Sequence, residues 1–124
     1  MQSGDTLLAV DRNDDHLWII ISDTDTDPDE LVIVSLLSWQ EYHDQACILH
    51  PGDHPFVKHD TCVNYPSATL AHRTKLEALL KAGSLKAKAP VSAELLGRIR
   101  MAVSESDIPS KCHKKLFDQG LVEY

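Results

Sequence analysis

The sequence predicts a mainly β fold with C-terminal helices: a small five-stranded barrel carrying two or three appended helices. Three observations lead there. Short apolar runs of strand length recur through the first 65 residues, separated by turn-forming Asp, Asn, Pro and Gly. From about Pro66 the apolar period changes from that of strands to that of helices. A chain of 124 residues, 43% hydrophobic, can bury one ordinary core. Residues 1–66 are therefore expected as the barrel and residues 67–124 as a helical extension packed on it, in a single domain.

Residues 7–10 and 17–22 read as strands joined across the acidic, turn-like segment 11–15, which makes a hairpin. The polar segment 23–30 is broken by Pro28 and alternates Asp with Thr or Pro. It lacks the glycine and terminal glutamate of an EF-hand loop, so a solvated loop is expected there rather than a calcium site. Residues 31–37 form a continuous apolar run, the pattern of a strand buried on both faces. Residues 46–49 and 61–65 are shorter strands on either side of a His/Pro/Gly-rich segment. Closure into a barrel is how five such strands avoid exposed edges. In the second half Leu76, Leu79 and Leu80 share a helical face, with Gly83 as the residue after the helix end. Ser92 caps a second helix whose stripe is Leu95, Leu96, Ile99 and Val103. The order Ser106-Asp107-Ile108-Pro109 begins a third, over residues 110–119, which Gly120 ends.

The net charge of −7 is unevenly distributed. Residues 1–60 carry 13 acids against Arg12 and Lys58, a net −11, whereas residues 61–124 carry 10 bases against 6 acids, a net +4. A polyanion would be held mainly by the second half. The N-terminal segment has no basic stretch followed by a long apolar run, and nowhere do about 18 apolar residues follow one another, so neither a secretory signal nor a membrane span is expected and the location is cytoplasmic. Cys47, Cys62 and Cys112 form an odd set without CxxC spacing, as expected of reduced thiols.

The densest constellation of reactive side chains is His43, Cys47, His50, His54, Lys58, His59, Asp60 and Cys62, with four histidines in 17 residues. One reading is a zinc site, since imidazole and thiolate are the ligands zinc prefers; the irregular spacing argues against it, and no metal or other cofactor is expected. A second reading is general acid/base work, for which histidine is suited near neutral pH. Cleavage of RNA needs a base for the 2′-hydroxyl, an acid for the leaving 5′-oxygen and a cation for the phosphorane charge, and His54, Lys58 and His59 supply all three types. A third reading is structural: Pro51-Gly52-Asp53 as a turn, His54 hydrogen-bonded within it, and Phe56 plugging the barrel.

Three stretches carry a resemblance. They are His16-Leu-Trp-Ile-Ile-Ile-Ser22, Leu31-Val-Ile-Val-Ser-Leu-Leu-Ser38, and Cys47-Ile-Leu-His-Pro-Gly-Asp-His-Pro-Phe-Val-Lys-His-Asp60. Together they resemble the PemK/MazF group of toxin proteins, and the third is similar to a divergent branch with a GDHPF element, a following histidine and a C-terminal helical tail. The similarity spans roughly residues 3–65. It implies an SH3-like barrel and a metal-independent endoribonuclease toxin that acts on single-stranded RNA, forms a homodimer and is neutralised by a protein antitoxin. Carried over by position, His16 falls where the family's catalytic arginine begins its strand, and Ser38 where its catalytic threonine or serine ends the next. A histidine in place of a fixed bidentate cation weakens anion binding at neutral pH, unless a neighbour such as Asp14 or Asp15 raises its pKa.

The catalytic candidates are thus His16, Ser38, His54 and His59. Lys58, Trp39, Arg98 and Arg100 are the candidates for holding substrate, by base stacking on the indole and by phosphate contacts. Against these stand plainer readings: a tryptophan on a β-rich segment packs in the core or at its rim, which is the expectation for Trp18, and basic residues at helical spacing mark a solvated face. Cys112 and His113, adjacent on a helix, point about 100° apart and do not make a thiolate–imidazole pair. The alternative function is a non-catalytic SH3-like binding module using the same barrel and basic tail for a protein or nucleic-acid partner. Geometry separates the two: a catalytic site requires His16, Ser38 and one of His54 or His59 to converge on one concave surface.

Overall fold

A computed structural model describes residues 1–10, 15–39 and 46–124. Most of the 11–15 turn, Asp14 and His43 lie outside the described residues. Six strands, β1 (Thr6–Ala9), β2 (His16–Ile20), β3 (Glu30–Ser38), β4 (Ile48–Leu49), β5 (Thr61–His72) and β6 (Leu85–Lys88), form one antiparallel sheet in the order β4-β5-β3-β2-β1-β6. The helices are α1 (Arg73–Ala82), α2 (Ala93–Met101), continued by a 3-10 turn Ala102–Glu105, and α3 (Ser110–Asp118). Mainly β with C-terminal helices is therefore the architecture, and the sheet is a six-stranded curled half-barrel. The expected count of five strands misses β6, and the expected boundary at residue 66 falls inside β5.

The sheet's apolar residues alternate between two cores. Leu17, Ile19, Ile21, Val32, Val34 and Leu36 face one side, where Leu95, Leu96, Ile99, Val103, Ile108, Cys112 and Leu116 of the C-terminal helices cover them. Trp18, Ile20, Leu31 and Ile33 face the other, under Leu76, Leu79 and Leu80 of α1 and Leu85 of β6. Residues 31–36 of β3 are all buried, which is why that run is apolar without alternation. Full burial of each of its larger side chains is worth about 2 kcal/mol.

Curvature arises in β5. Ile33 pairs with Thr69 but Ser35 pairs with Asn64, so four residues of β5, 65–68, stand against Val34 alone. Pro66, with no N–H to offer a ladder, sits in this bulge. The gap is closed by Ser67, whose hydroxyl donates to Asn64 O (2.6 Å) while accepting from Ser35 N (3.1 Å) and the Ser35 hydroxyl (2.8 Å). The bulge turns fully buried Tyr65 inward, and its hydroxyl donates to Ile99 O of α2 at 2.7 Å.

Helix ends follow the local chemistry. Ser92 Oγ accepts from Leu95 N (3.0 Å) to cap α2, and Gly83 takes φ 83° after α1, returning its N–H to Leu80 O and passing the chain into β6. Gly120 likewise stands after α3, whose N-cap position is Pro109. Polar side chains then tie helices to strands. Arg100 Nε donates to Ile21 O (2.8 Å), Arg98 Nη2 to Ile48 O (3.0 Å), and the Gln119 amide bonds both N and O of Asp23. Lys115 of α3 pairs with Asp27 and Glu30, so the acidic segment before β3 is tethered rather than freely solvated. All three cysteines are buried, and burial pushes the Cys47 and Cys112 thiols up, away from thiolate. No described helix is long and apolar enough to cross a membrane.

Two outcomes are expected. Tyr65→Phe leaves Ile99 O without its buried partner and should cost about 1–2 kcal/mol in urea unfolding, with the slope unchanged. Lys115 and the backbone N–H groups of Glu30 and Asp29 hold the Asp27 carboxyl at about 2, below the ordinary carboxylate value. Its contribution is present above roughly pH 4, where the unfolded carboxyl is also ionised, and is lost as pH falls toward about 2. Urea midpoints measured from pH 5 to pH 2 should therefore fall less steeply for Asp27→Asn than for the wild type.

Candidate functional site

The segment between β4 and β5 is built for one conformation. Pro51 and Gly52 occupy the centre of a turn closed by Asp53 N donating to His50 O at 3.0 Å, and Gly52 takes φ 103°, a value that favours glycine. The Asp53 carboxylate accepts from His50 N (2.8 Å), which lowers its pKa, and meets Arg98 Nη1 at 3.4 Å. His54 follows, 5% exposed. Its Nδ1 accepts from Phe56 N (3.1 Å), so the ring proton sits on Nε2, which donates to Ala89 O at 2.6 Å. His54 thus pins the loop to the segment after β6. The chain then turns again, Val57 N to His54 O, and brings Phe56, Lys58 and His59 to the end of the sheet where β2 begins, β3 ends and β5 begins.

There they meet His16 and Ser38. A cleft of about 160 Å³ is lined by Asp15, His16, Ser38, Phe56, Lys58 and His59, with Leu36, Leu37 and Thr61 completing it. The central contact is Ser38 Oγ to His59 Nε2 at 2.7 Å. Backbone geometry fixes both partners: Ser38 pairs with Thr61 across β3 and β5, Thr61 Oγ1 donates to His59 O (2.9 Å), and Trp39 N donates to Asp60 O (3.0 Å). The residues lining the cleft therefore carry two imidazoles, one ammonium, two hydroxyls and the carboxylate of Asp15. Beside it, His50 Nδ1 and Asp60 Oδ1 form an exposed pair at 2.7 Å.

The structure brings together four of the residues singled out from the sequence, His16, Ser38, Lys58 and His59, and leaves four apart. His54 faces away with both ring nitrogens engaged, the structural arrangement of the three weighed for it, because the turn and Ala89 claim its ring first. Arg98 and Arg100 are committed to backbone carbonyls, and burial lowers the Arg100 pKa; neither lines the cleft. Trp39 is half-buried outside the cleft, its Nε1 without a partner among the described residues. Of the tail lysines, Lys114 pairs with Asp118 and Lys115 with Asp27 and Glu30, so part of the basic face is neutralised internally. His113 stacks on Tyr124, and Cys112 lies in the core beside it. No group of three His, Cys, Asp or Glu side chains among the described residues is placed to hold a metal ion. Phe56, a barrel plug in the structural reading, is half-buried: it packs against the main core and also lines the cleft, and the GDHPF run that fixes its position was its only sequence signal.

The two central histidines should separate by stability. His54→Ala removes two hydrogen bonds from a buried ring and should cost about 1–3 kcal/mol. His59→Ala, at an exposed position, should stay within about 0.5 kcal/mol of wild type in the same urea titration.

Compared with known proteins, the chain significantly matches no family model, no curated protein and no solved structure.

Proposed function

We propose that the chain is a metal-independent endoribonuclease of the PemK/MazF type, cleaving single-stranded RNA at the cleft where β2, β3 and β5 meet. The single observation that carries this reading is the convergence of His16, Ser38, Lys58 and His59 on one concave surface, with Ser38 and His59 in hydrogen-bond contact. The reaction has no need of a protein nucleophile. The RNA 2′-hydroxyl attacks the adjacent phosphorus, the bond to the 5′-oxygen breaks, and the products are a 2′,3′-cyclic phosphate and a 5′-hydroxyl. His59, held in orientation by Ser38, takes the 2′-hydroxyl proton, and His16 returns a proton to the leaving 5′-oxygen. Lys58 stabilises the charge that builds on the phosphorane oxygens, the part given elsewhere in the family to arginine. Phe56 offers an apolar wall for a flanking base. Neutralisation by a protein antitoxin and assembly as a homodimer belong to the same reading.

The test is cleavage of a long single-stranded RNA by purified protein in EDTA. Wild type should cut, His59→Ala and His16→Ala should each lose roughly a hundredfold, and a substrate with a single 2′-deoxy nucleotide at the cut position should resist. Cleavage that is no faster than that of the doubly substituted His16→Ala/His59→Ala protein would sink the enzymatic reading and leave the non-catalytic binding module in its place.

A further inference from the structure

A second cavity, of about 370 Å³, lies between α1 and the opposite face of the sheet, and it shares no lining residue with the cleft. Its volume falls in the range of small-molecule sites, roughly 300–1,000 Å³. Trp18 and Ile33 from the sheet, Leu76 and Leu79 from α1 and Leu85 from β6 make most of its wall. Three polar residues also line it: Thr69, His72 and Lys75.

These three have one chemical character. Thr74 N donates to His72 Nδ1 at 3.2 Å, so the His72 ring keeps its proton on Nε2, where it is a donor. Lys75 has no ion pair and Thr69 Oγ1 no hydrogen bond among the described residues, and all three residues are exposed to solvent. His72 is the N-cap of α1 and Lys75 lies in its first turn, which holds no acid, so the positive end of the helix adds to their field. An apolar chamber with a lysine, a histidine and a threonine among its lining residues is complementary to a molecule with an apolar body and one carboxylate. An uncharged hydrocarbon leaves these donors without a new acceptor, and a cation is repelled by Lys75.

We infer that this cavity is a binding site for a small apolar monocarboxylate, its chain seated against Trp18, Ile33, Leu76, Leu79 and Leu85 and its carboxylate bound by Thr69, His72 and Lys75. The apolar part contributes affinity by leaving water, and the carboxylate contributes charge-assisted hydrogen bonds that select acid over alcohol. The site is independent of the ribonuclease reading and stands or falls without it.

The test is a titration of isotopically labelled protein by heteronuclear NMR with octanoate, 1-octanol and octyltrimethylammonium, three probes with one chain and different heads. Octanoate should shift the Trp18 indole and the α1 amides saturably, at least about tenfold more tightly than 1-octanol, with octyltrimethylammonium weaker still. Lys75→Glu, at an exposed position, should lower octanoate affinity about tenfold or more and leave 1-octanol unchanged. Ala71→Leu, which intrudes on the chamber, should abolish binding of both while the spectrum stays dispersed. Absence of saturable shifts, equal affinity for acid and alcohol, or indifference to Lys75→Glu would each overturn the proposal; should Ala71→Leu fail to fold, the Lys75→Glu comparison decides alone.

Discussion

Everything in this molecule is arranged around the fact that β3 has no face of its own to give to water. Six consecutive buried residues, from Leu31 to Leu36, require cover on both sides of the sheet. A closed barrel of five strands would cover only the inner side. The chain meets the requirement by curling the sheet and placing α1 over one face and α2, the 3-10 turn and α3 over the other. The helices are therefore a condition for the sheet rather than an appendage to it. Their polar contacts with Ile21, Ile48 and Asp23 set the height and angle at which they sit.

The cleft inherits its geometry from the same frame. Ser38 is the last residue of the buried strand and His16 the first of its neighbour, so their positions follow from pairing that the cores enforce. His59 comes from a loop and needs separate fixing. It has it from three sources: the Pro51-Gly52 turn, the buried ring of His54, and the hydrogen bonds that join Thr61 and Trp39 to the backbone at residues 59 and 60. A site mounted on strand ends and a pinned loop keeps donor and acceptor in register.

What could be read from the sequence was what local pattern determines. The apolar runs of β2 and β3 and the caps at Ser92, Gly83 and Gly120 follow from side-chain period and backbone preference, and they stand where the sequence placed them. What could not be read was decided by partners distant in sequence. Residues 66–72 are strand because β3 pairs with them, and Pro66 is tolerated because it falls in a bulge that only the register reveals. β6 has one buried residue, Leu85, and a sequence otherwise indistinguishable from a helix or loop; β1 makes it a strand. In the candidate site the pattern separates equally plainly. His59 and His54 look alike in sequence, five residues apart, yet one is exposed and meets Ser38 while the other is claimed by Ala89, 35 residues further on. Arg98 and Arg100 read as phosphate ligands until the carbonyls they hold are known.

The two margins of the sheet have a consequence for how the protein keeps company. β4 is two residues long, and β6 is four residues long with Lys86 and Lys88 on it. A short margin offers an incoming strand little backbone to bind, and a lysine-bearing one opposes it by charge and by the loss of side-chain hydration. Continuous stacking of one copy's sheet onto another's, the first step toward fibrous aggregates, is thereby discouraged along β6. The most apolar strand of the chain is thus enclosed between helices, away from any incoming strand, and the β6 edge carries lysines.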